Sequence, residues 1–195
     1  MDYNKIDNVI RSERILNNLD KFVLKFCGML DEYVVVSGYV SILFGRSRAT
    51  EDIDLLVPSM TIEEFLKYWK RFESGGFECL NTLKADEAYK MLRSCAIRFS
   101  LRGRLIPNIE FKVMKNDLDK YSFDRRVEVL LTEGSLMISP LEMQIAYKLY
   151  LGSDKDLEDA KYIYELFKES LDMDELNKLV GKLKVRGNFE VINED

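Results

Sequence analysis

Between Tyr33 and Val57 the chain passes through a β-branched run, a small-residue turn, a short apolar stretch and a second apolar run. No other segment restricts the fold so tightly. Tyr33-Val34-Val35-Val36 reads as a buried strand, because β-branched side chains suit a covered, pleated surface. It stops at Ser37-Gly38, and Tyr39–Phe44 then has helical character. Asp52–Val57 is a second strand, closed by Pro58. A strand that runs into a small-residue turn and opens a helix leaves free backbone N–H groups where a phosphate could sit. The strand period of two places Asp52 and Asp54 side by side on one face.

Two carboxylates held that close repel each other and call for a cation between them. Hard oxygen ligands of this kind suit Mg²⁺ or Mn²⁺. The rest of the composition narrows the chemistry further. The chain has no histidine, which removes Ser-His-Asp and Cys-His catalysis, histidine zinc sites and imidazole bases. Its three cysteines, Cys27, Cys79 and Cys95, are far apart and odd in number, so a disulfide framework is not expected. Chemistry must come from carboxylates, Lys, Arg, Ser and backbone. The net charge of −5 argues against a general polyanion coat but leaves room for a local basic groove.

The 195 residues suffice for a core without staples. Apolar positions at Ile6, Val9, Ile10, Leu16, Leu19, Val23, Leu24 and Leu30 predict an N-terminal helix across residues 5–30. Thr61-Ile62-Glu63-Glu64 has capping-box form and opens a helix to about Glu73, ended by Gly75-Gly76. Phe77–Leu80 predicts a short strand and Asp86–Arg93 a short helix. Cys95–Leu101 and Ile109–Met114 predict an antiparallel hairpin, with Val127–Leu131 and Leu136–Ile138 as further strands. From Ser139 the chain reads as helix only, with Ser139 as N-cap, Pro140 in the first helical position, and about three helices in all. The fold class expected is α+β, a mixed β-sheet flanked by helices, with a C-terminal helical tail. The division is a sheet core over 1–138 and a tail over 139–195 packing on it.

Ser37-Gly38 followed by Arg48-Ala49-Thr50-Glu51-Asp52-Ile53-Asp54 and an apolar run resembles the nucleotidyltransferase superfamily, with its polymerase-beta-like fold. It is most similar to the branch of abortive-infection AbiEii-type toxins and related minimal nucleotidyltransferases. The resemblance is specific over roughly residues 34–57. It implies a metal-dependent enzyme that moves a nucleotidyl group from an NTP to a hydroxyl of RNA, protein or a small molecule. It also implies a third carboxylate on a neighbouring strand, for which Glu110 is the candidate, so that Asp52, Asp54 and Glu110 would be catalytic and hold Mg²⁺ or Mn²⁺. Ser37, Gly38, Arg48 and Thr50 would contact the nucleotide. In the tail, Lys148 and the run Asp154-Lys155-Asp156-Leu157-Glu158-Asp159 are similar to the lysine and Lys-Asp-x-x-Asp elements of that branch. Lys148 and Asp156 are therefore nucleotide-binding candidates. Two departures stand out: Ser37 replaces the usual first glycine, and Glu110 replaces the more usual Asp.

Arg93, Arg98, Arg102, Arg104, Lys112 and Lys115 could line a groove for a triphosphate or an RNA end such as a tRNA-like acceptor. Tyr68, Trp69 and Phe72 lie at helical spacing and read as core. Met1-Asp2-Tyr3-Asn4-Lys5 lacks a basic segment before an apolar stretch, and no apolar run approaches the ~18 residues of a membrane span, so the reading is cytoplasmic with no membrane partner. Two rival readings accompany the enzyme. One is a catalytically impaired nucleotide- or RNA-binding module on the same fold. The other is a toxin-like protein whose business is a complex with an antitoxin.

Overall fold

The computed structural model describes residues 1–193. Strands β1 (Asp2–Asn4), β2 (Val9–Arg11), β3 (Val34–Val36), β4 (Asp52–Val57), β5 (Phe77–Cys79), β6 (Ile97–Leu101), β7 (Asn108–Val113), β8 (Val127–Leu131) and β9 (Gly134–Ile138) form one mixed sheet. Their order across it is β1-β2-β8-β9-β3-β4-β7-β6-β5. The helices are α1 (Asn18–Cys27), α2 (Gly38–Leu43), α3 (Ile62–Ser74), α4 (Ala85–Leu92), α5 (Asp117–Asp124), α6 (Leu141–Leu151), α7 (Asp154–Phe167), α8 (Met173–Leu183) and α9 (Arg186–Asn193). The α+β class, a mixed sheet flanked by helices, stands as expected. None of the described helices is long and apolar enough to cross a membrane.

At the N-terminus the structure corrects the helical reading. Residues 5–30 do not form one helix, because local polar side chains turn the chain first. Asn4 Oδ1 accepts from Ile6 N at 3.0 Å, and Asn8 takes a positive φ of 55°, a conformation Asn tolerates better than most. Ile6 is left on the tip of a hairpin, 95% exposed, instead of on a buried helix face. The helix waits for a proper start at Asn17, which accepts from Asp20 N while Asp20 accepts from Asn17 N, each at 2.9 Å. This reciprocal cap satisfies two donors that α1 would otherwise leave orphaned.

Thr61 forms the expected capping box with Glu64 at the head of α3. Removing that oxygen (Thr61→Ala) is expected to cost about 1 kcal/mol, read as a lower urea midpoint with unchanged slope. Ser139, by contrast, is not a cap. α6 starts at Leu141 with Pro140 in the cap position and no side-chain cap, and Ser139 Oγ instead bonds Ser122 Oγ at 3.2 Å. The sequence reading missed α5, although Asn116 accepts from both Leu118 N and Asp119 N at its head. The tail holds four helices among the described residues, α6 to α9, rather than three; the last two residues of the 139–195 segment lie outside them.

One face of the sheet buries Ile53, Leu55, Phe99, Ile109 and Phe111 against Phe26, Trp69 and Phe72, as the helical spacing of Trp69 and Phe72 requires. The same apolar cluster continues into the tail through Leu149, Ile163 and Phe167. Phe167 meets Phe44 edge to face at 4.8 Å, which ties α7 to the end of α2. The opposite face is only partly covered: Val34 and Leu56 form a small cluster with Phe123 of α5. That half-covered face carries the polar residues of interest.

Candidate active site

Because Ile53 and Leu55 point into the main core, strand alternation sends Asp52 and Asp54 to the half-covered face. The parallel register of β4 with β7 then sets Asn108 beside Asp52, Glu110 beside Asp54 and Lys112 beside Leu56. Across the antiparallel pair of β6 and β7, Arg98 stands opposite Glu110. Hydrogen bonding between strands, invisible in the local sequence, is what brings these residues together.

Lys112 Nζ lies between two carboxylates, donating to Glu110 Oε2 at 2.8 Å and to Asp54 Oδ1. Arg98 donates to Glu110 Oε1, at 2.7 Å from Nη2 and 3.1 Å from Nε. Burial alone would push the Glu110 carboxyl up, but the bonds from Lys112 and Arg98 outweigh it and hold its pKa below the usual glutamate range. Burial likewise works against the Lys112 ammonium, and the two carboxylates prevail, so its pKa is raised.

Asp52 has a separate partner. Asn108 Nδ2 donates to Asp52 Oδ1 at 2.9 Å, while the buried Asn108 Oδ1 meets no partner among the described residues. Thr50 Oγ1 donates to the Asp52 carbonyl at 2.8 Å and so shapes the entry to β4. The sequence reading closes all three carboxylates on one small volume, and the structure divides them. Asp54 and Glu110 share one ammonium, and Asp52 is held by an amide. Among the described residues no three acidic or thiol groups form a ready-made metal cage. The pair Asp54–Glu110 nonetheless fits a divalent cation by its donor chemistry, since it already binds a positive charge, and Mg²⁺ usually takes one or two carboxylates plus substrate phosphates.

The turn at the other side of the site departs from expectation. α2 has only six residues, too few for its N-terminus alone to make an anion site. Positive charge arrives instead from Arg48. A methyl group built on Gly38 would stand 2.9 Å from Arg48 Nη2, so the missing side chain is what admits the guanidinium. Ser37, just before it, has φ 66° and ψ −139° without a side-chain cap bond. Glycine would take that conformation without the 1–3 kcal/mol or so that a side chain costs there.

Lys148 requires a correction. A nucleotide-binding lysine would reach into the site, whereas Lys148 is 1% exposed, with its ammonium 2.7 Å from Asp159 and 3.1 Å from Asp156. Burial raises the Asp156 carboxyl, but bonds from Ser153 and Lys148 more than offset it, and the net pKa is lowered. The residue that organises the group is Asp159, the last residue of the Lys-Asp-x-x-Asp run, to which the sequence reading gave no role of its own. It is fully buried and receives Arg48 Nη1 at 2.5 Å, Lys148 and Arg46. Three cations around one buried carboxylate join α6, α7 and the loop before β4. The sequence signal was present: Asp156 and Asp159 lie three apart, on one face of a helix beginning at Asp154.

A cavity of about 290 Å³ opens beside the carboxylates, lined by Ser37, Asp54 and Lys112 on one side and by Gln144, Tyr147 and Leu151 of α6 on another. Of the basic cluster, Arg98 and Lys112 are engaged with Glu110 and Asp54, and Lys115 Nζ donates to the Ser94 carbonyl at 2.6 Å. Arg102 and Arg104 lie exposed around the β6–β7 turn.

A half-covered mixed sheet with two acidic strands beside a Ser-Gly turn defines a nucleotidyltransferase-like fold, and solved structures agree. The antigenic nucleotidyltransferase-like protein from Paracoccidioides brasiliensis superposes with a TM-score of 0.54 at 17% identity, covering 91% of this chain and 93% of that one. The antibiotic-resistance factor ANT(2'')-Ia in complex with adenylyl-2''-tobramycin gives 0.56 at 13% identity, over 87% and 99% of the two chains. Its solution structure gives 0.54 at 12%, over 89% and 94%. At these identities the likeness is one of fold. No protein-family model matches the sequence, and no curated protein matches it.

Proposed function

We propose that this protein is a metal-dependent nucleotidyltransferase, moving a nucleotidyl group from an NTP to an acceptor hydroxyl. The observation that carries the reading is the pairing of Asp54 with Glu110 on adjacent parallel strands, with Asp52 two residues before Asp54, and Asp54 lining a cavity that Ser37 also lines. It is supported by the fold shared with ANT(2'')-Ia, a protein solved with an adenylylated product. Asp54 and Glu110, with Asp52 alongside, would hold Mg²⁺ or Mn²⁺, and a bound ion would supply neutralisation of phosphate charge. Gly38 and Arg48 would receive the triphosphate, while Thr50 shapes the approach. Lys148 and Asp156 act on the nucleotide through Asp159, which keeps Arg48 against the turn. Glu110 and Asp54 orient the acceptor hydroxyl, so catalysis is mostly positioning and charge neutralisation.

The finer resemblance to the AbiEii-type branch rests on Arg48-x-Thr50-x-Asp52-x-Asp54 together with Lys148 and Asp156. It favours an RNA acceptor such as a tRNA end, in a cytoplasmic protein restrained by an antitoxin partner. The test is incubation with each labelled NTP, Mg²⁺ and total RNA, followed by separation of RNA, protein and small products. Label in RNA supports this acceptor, and label in protein or a small molecule redirects it. No transfer from any NTP overturns the enzyme.

One observation favours an impaired binding module: Lys112 occupies the space between Asp54 and Glu110 where a cation would sit. Lys112→Met is therefore expected to raise Mn²⁺ affinity about tenfold, as for a site freed of a resident competitor about nine-tenths of the time. Calorimetric titration with Mn²⁺ alone checks this. Equal affinities for variant and parent would show that the ammonium yields without cost.

A further inference from the structure

The cavity beside Asp54 has a wall that phosphate chemistry leaves unused. α6 contributes Met143, Gln144, Tyr147 and Leu151 to it, and α5 contributes Leu118. Gln144 is only 3% exposed, and its backbone N–H is satisfied by the Pro140 carbonyl at 2.9 Å. Its side-chain amide makes no hydrogen bond to another described residue, and its atoms are not among the sealed, unpaired ones, so the amide opens into the cavity that it lines. An amide without a protein partner makes its hydrogen bonds with whatever occupies the space it faces. The opening from which this one can be satisfied is the cavity it lines.

An amide presents a donor and an acceptor side by side in one plane, whichever way it is flipped. The complementary ligand offers an acceptor and a donor next to each other on the rim of a flat body. Beside Gln144, Tyr147 is about a third exposed and braced by Tyr150, the ring centroids 5.9 Å apart and 30° from parallel. Met143, Leu118 and Leu151 make the neighbouring surface apolar. Asp119, the other carboxylate of the cavity, has its Oδ2 engaged by Lys115 N at 2.8 Å. The apolar and aromatic side chains of this wall suit a flat ring better than a hydroxyl-rich acceptor. A nucleobase fits it, since bases bind side-chain amides at donor–acceptor edges and stack on aromatic rings.

We propose that Gln144 reads the base of the bound nucleotide while Tyr147 supplies its stacking surface, making the protein selective for one base. This rests on the nucleotide reading of the Asp54 site and deepens it. The phosphates would face Ser37, Arg48 and Lys112, and the base would face α6.

The experiment is calorimetric titration of each of the four NTPs as non-hydrolysable analogues, and of tripolyphosphate, with Mg²⁺ present. The intact protein and Gln144→Leu are compared, with Gln144→Met as the alternative should the leucine variant fail to fold. The parent is expected to prefer its best base over its worst by about tenfold or more, the discrimination a good bidentate contact provides. Gln144→Leu should abolish most of that preference and leave tripolyphosphate affinity unchanged. Equal affinities for all four bases in the parent, or a preference that survives Gln144→Leu intact, overturns the proposal while nucleotide binding stands. Failure of the parent to bind any NTP or tripolyphosphate overturns the nucleotide reading, and this proposal with it.

Discussion

Replacing Asp159 by alanine is expected to remove about 3–5 kcal/mol of stability, a large share of what a domain of this size has to lose. Asp159 is fully buried and is the common acceptor for Arg46, Arg48 and Lys148. Without it Lys148, itself 1% exposed, keeps only Asp156, and Arg48 loses the partner that seats it against Gly38. Lys148→Met should cost much less, because Asp159 then still has two guanidinium groups and an apolar chain fills the space. Urea unfolding of both variants checks the ordering. If Asp159→Ala comes within about 1 kcal/mol of the parent, the range of an ordinary substitution, the three-cation junction is not what holds the tail to the sheet.

Asp54→Asn is expected to separate function from stability. On the proposed reading it removes a cation ligand, and a loss of several kcal/mol of transition-state stabilisation corresponds to about a thousandfold in kcat/KM or more. The fold should scarcely notice. The Asp54–Lys112 pair is partly open to solvent, at 24% and 33% side-chain exposure, and such pairs contribute roughly 0–1 kcal/mol. From the sequence, two unneutralised aspartates would make the asparagine variant as stable as the parent or slightly more so. The structure removes that argument, because Lys112 already cancels the repulsion. The expected result is a small loss of melting temperature, with the shift on adding Mg²⁺ and NTP abolished. A large drop in stability with that ligand shift preserved would make Asp54 a structural residue.

What the sequence alone determined lies where short-range forces decide. β4 was legible to the residue, because Asp52–Val57 alternates and then runs apolar before a proline. α3 was legible because Thr61 and Glu64 form its cap within one turn of chain. The helix-only character after Ser139 was also clear, and it is local bonds such as that from Glu175 N to the Asp172 side chain at the head of α8 that make it so. The absence of histidine restricted the chemistry before any fold was known. The same local logic failed where polar side chains compete with the backbone, as Asn4 and Asn8 do in breaking the expected N-terminal helix.

Only the tertiary structure could decide which charges meet. Glu110 faces Asp54 through interstrand register, Lys112 then falls between them, and Arg98 arrives from a third strand. Asp159 joins Arg46 and Arg48 across more than a hundred residues of chain. Gln144 looked like one more polar residue on an apolar helix until the cavity beside it was formed. Charge and hydrogen-bond energies depend on separation in space and on exclusion of water. A sequence lists the groups but not their distances, so it revealed the kinds of residue this site uses and left their partners to the fold.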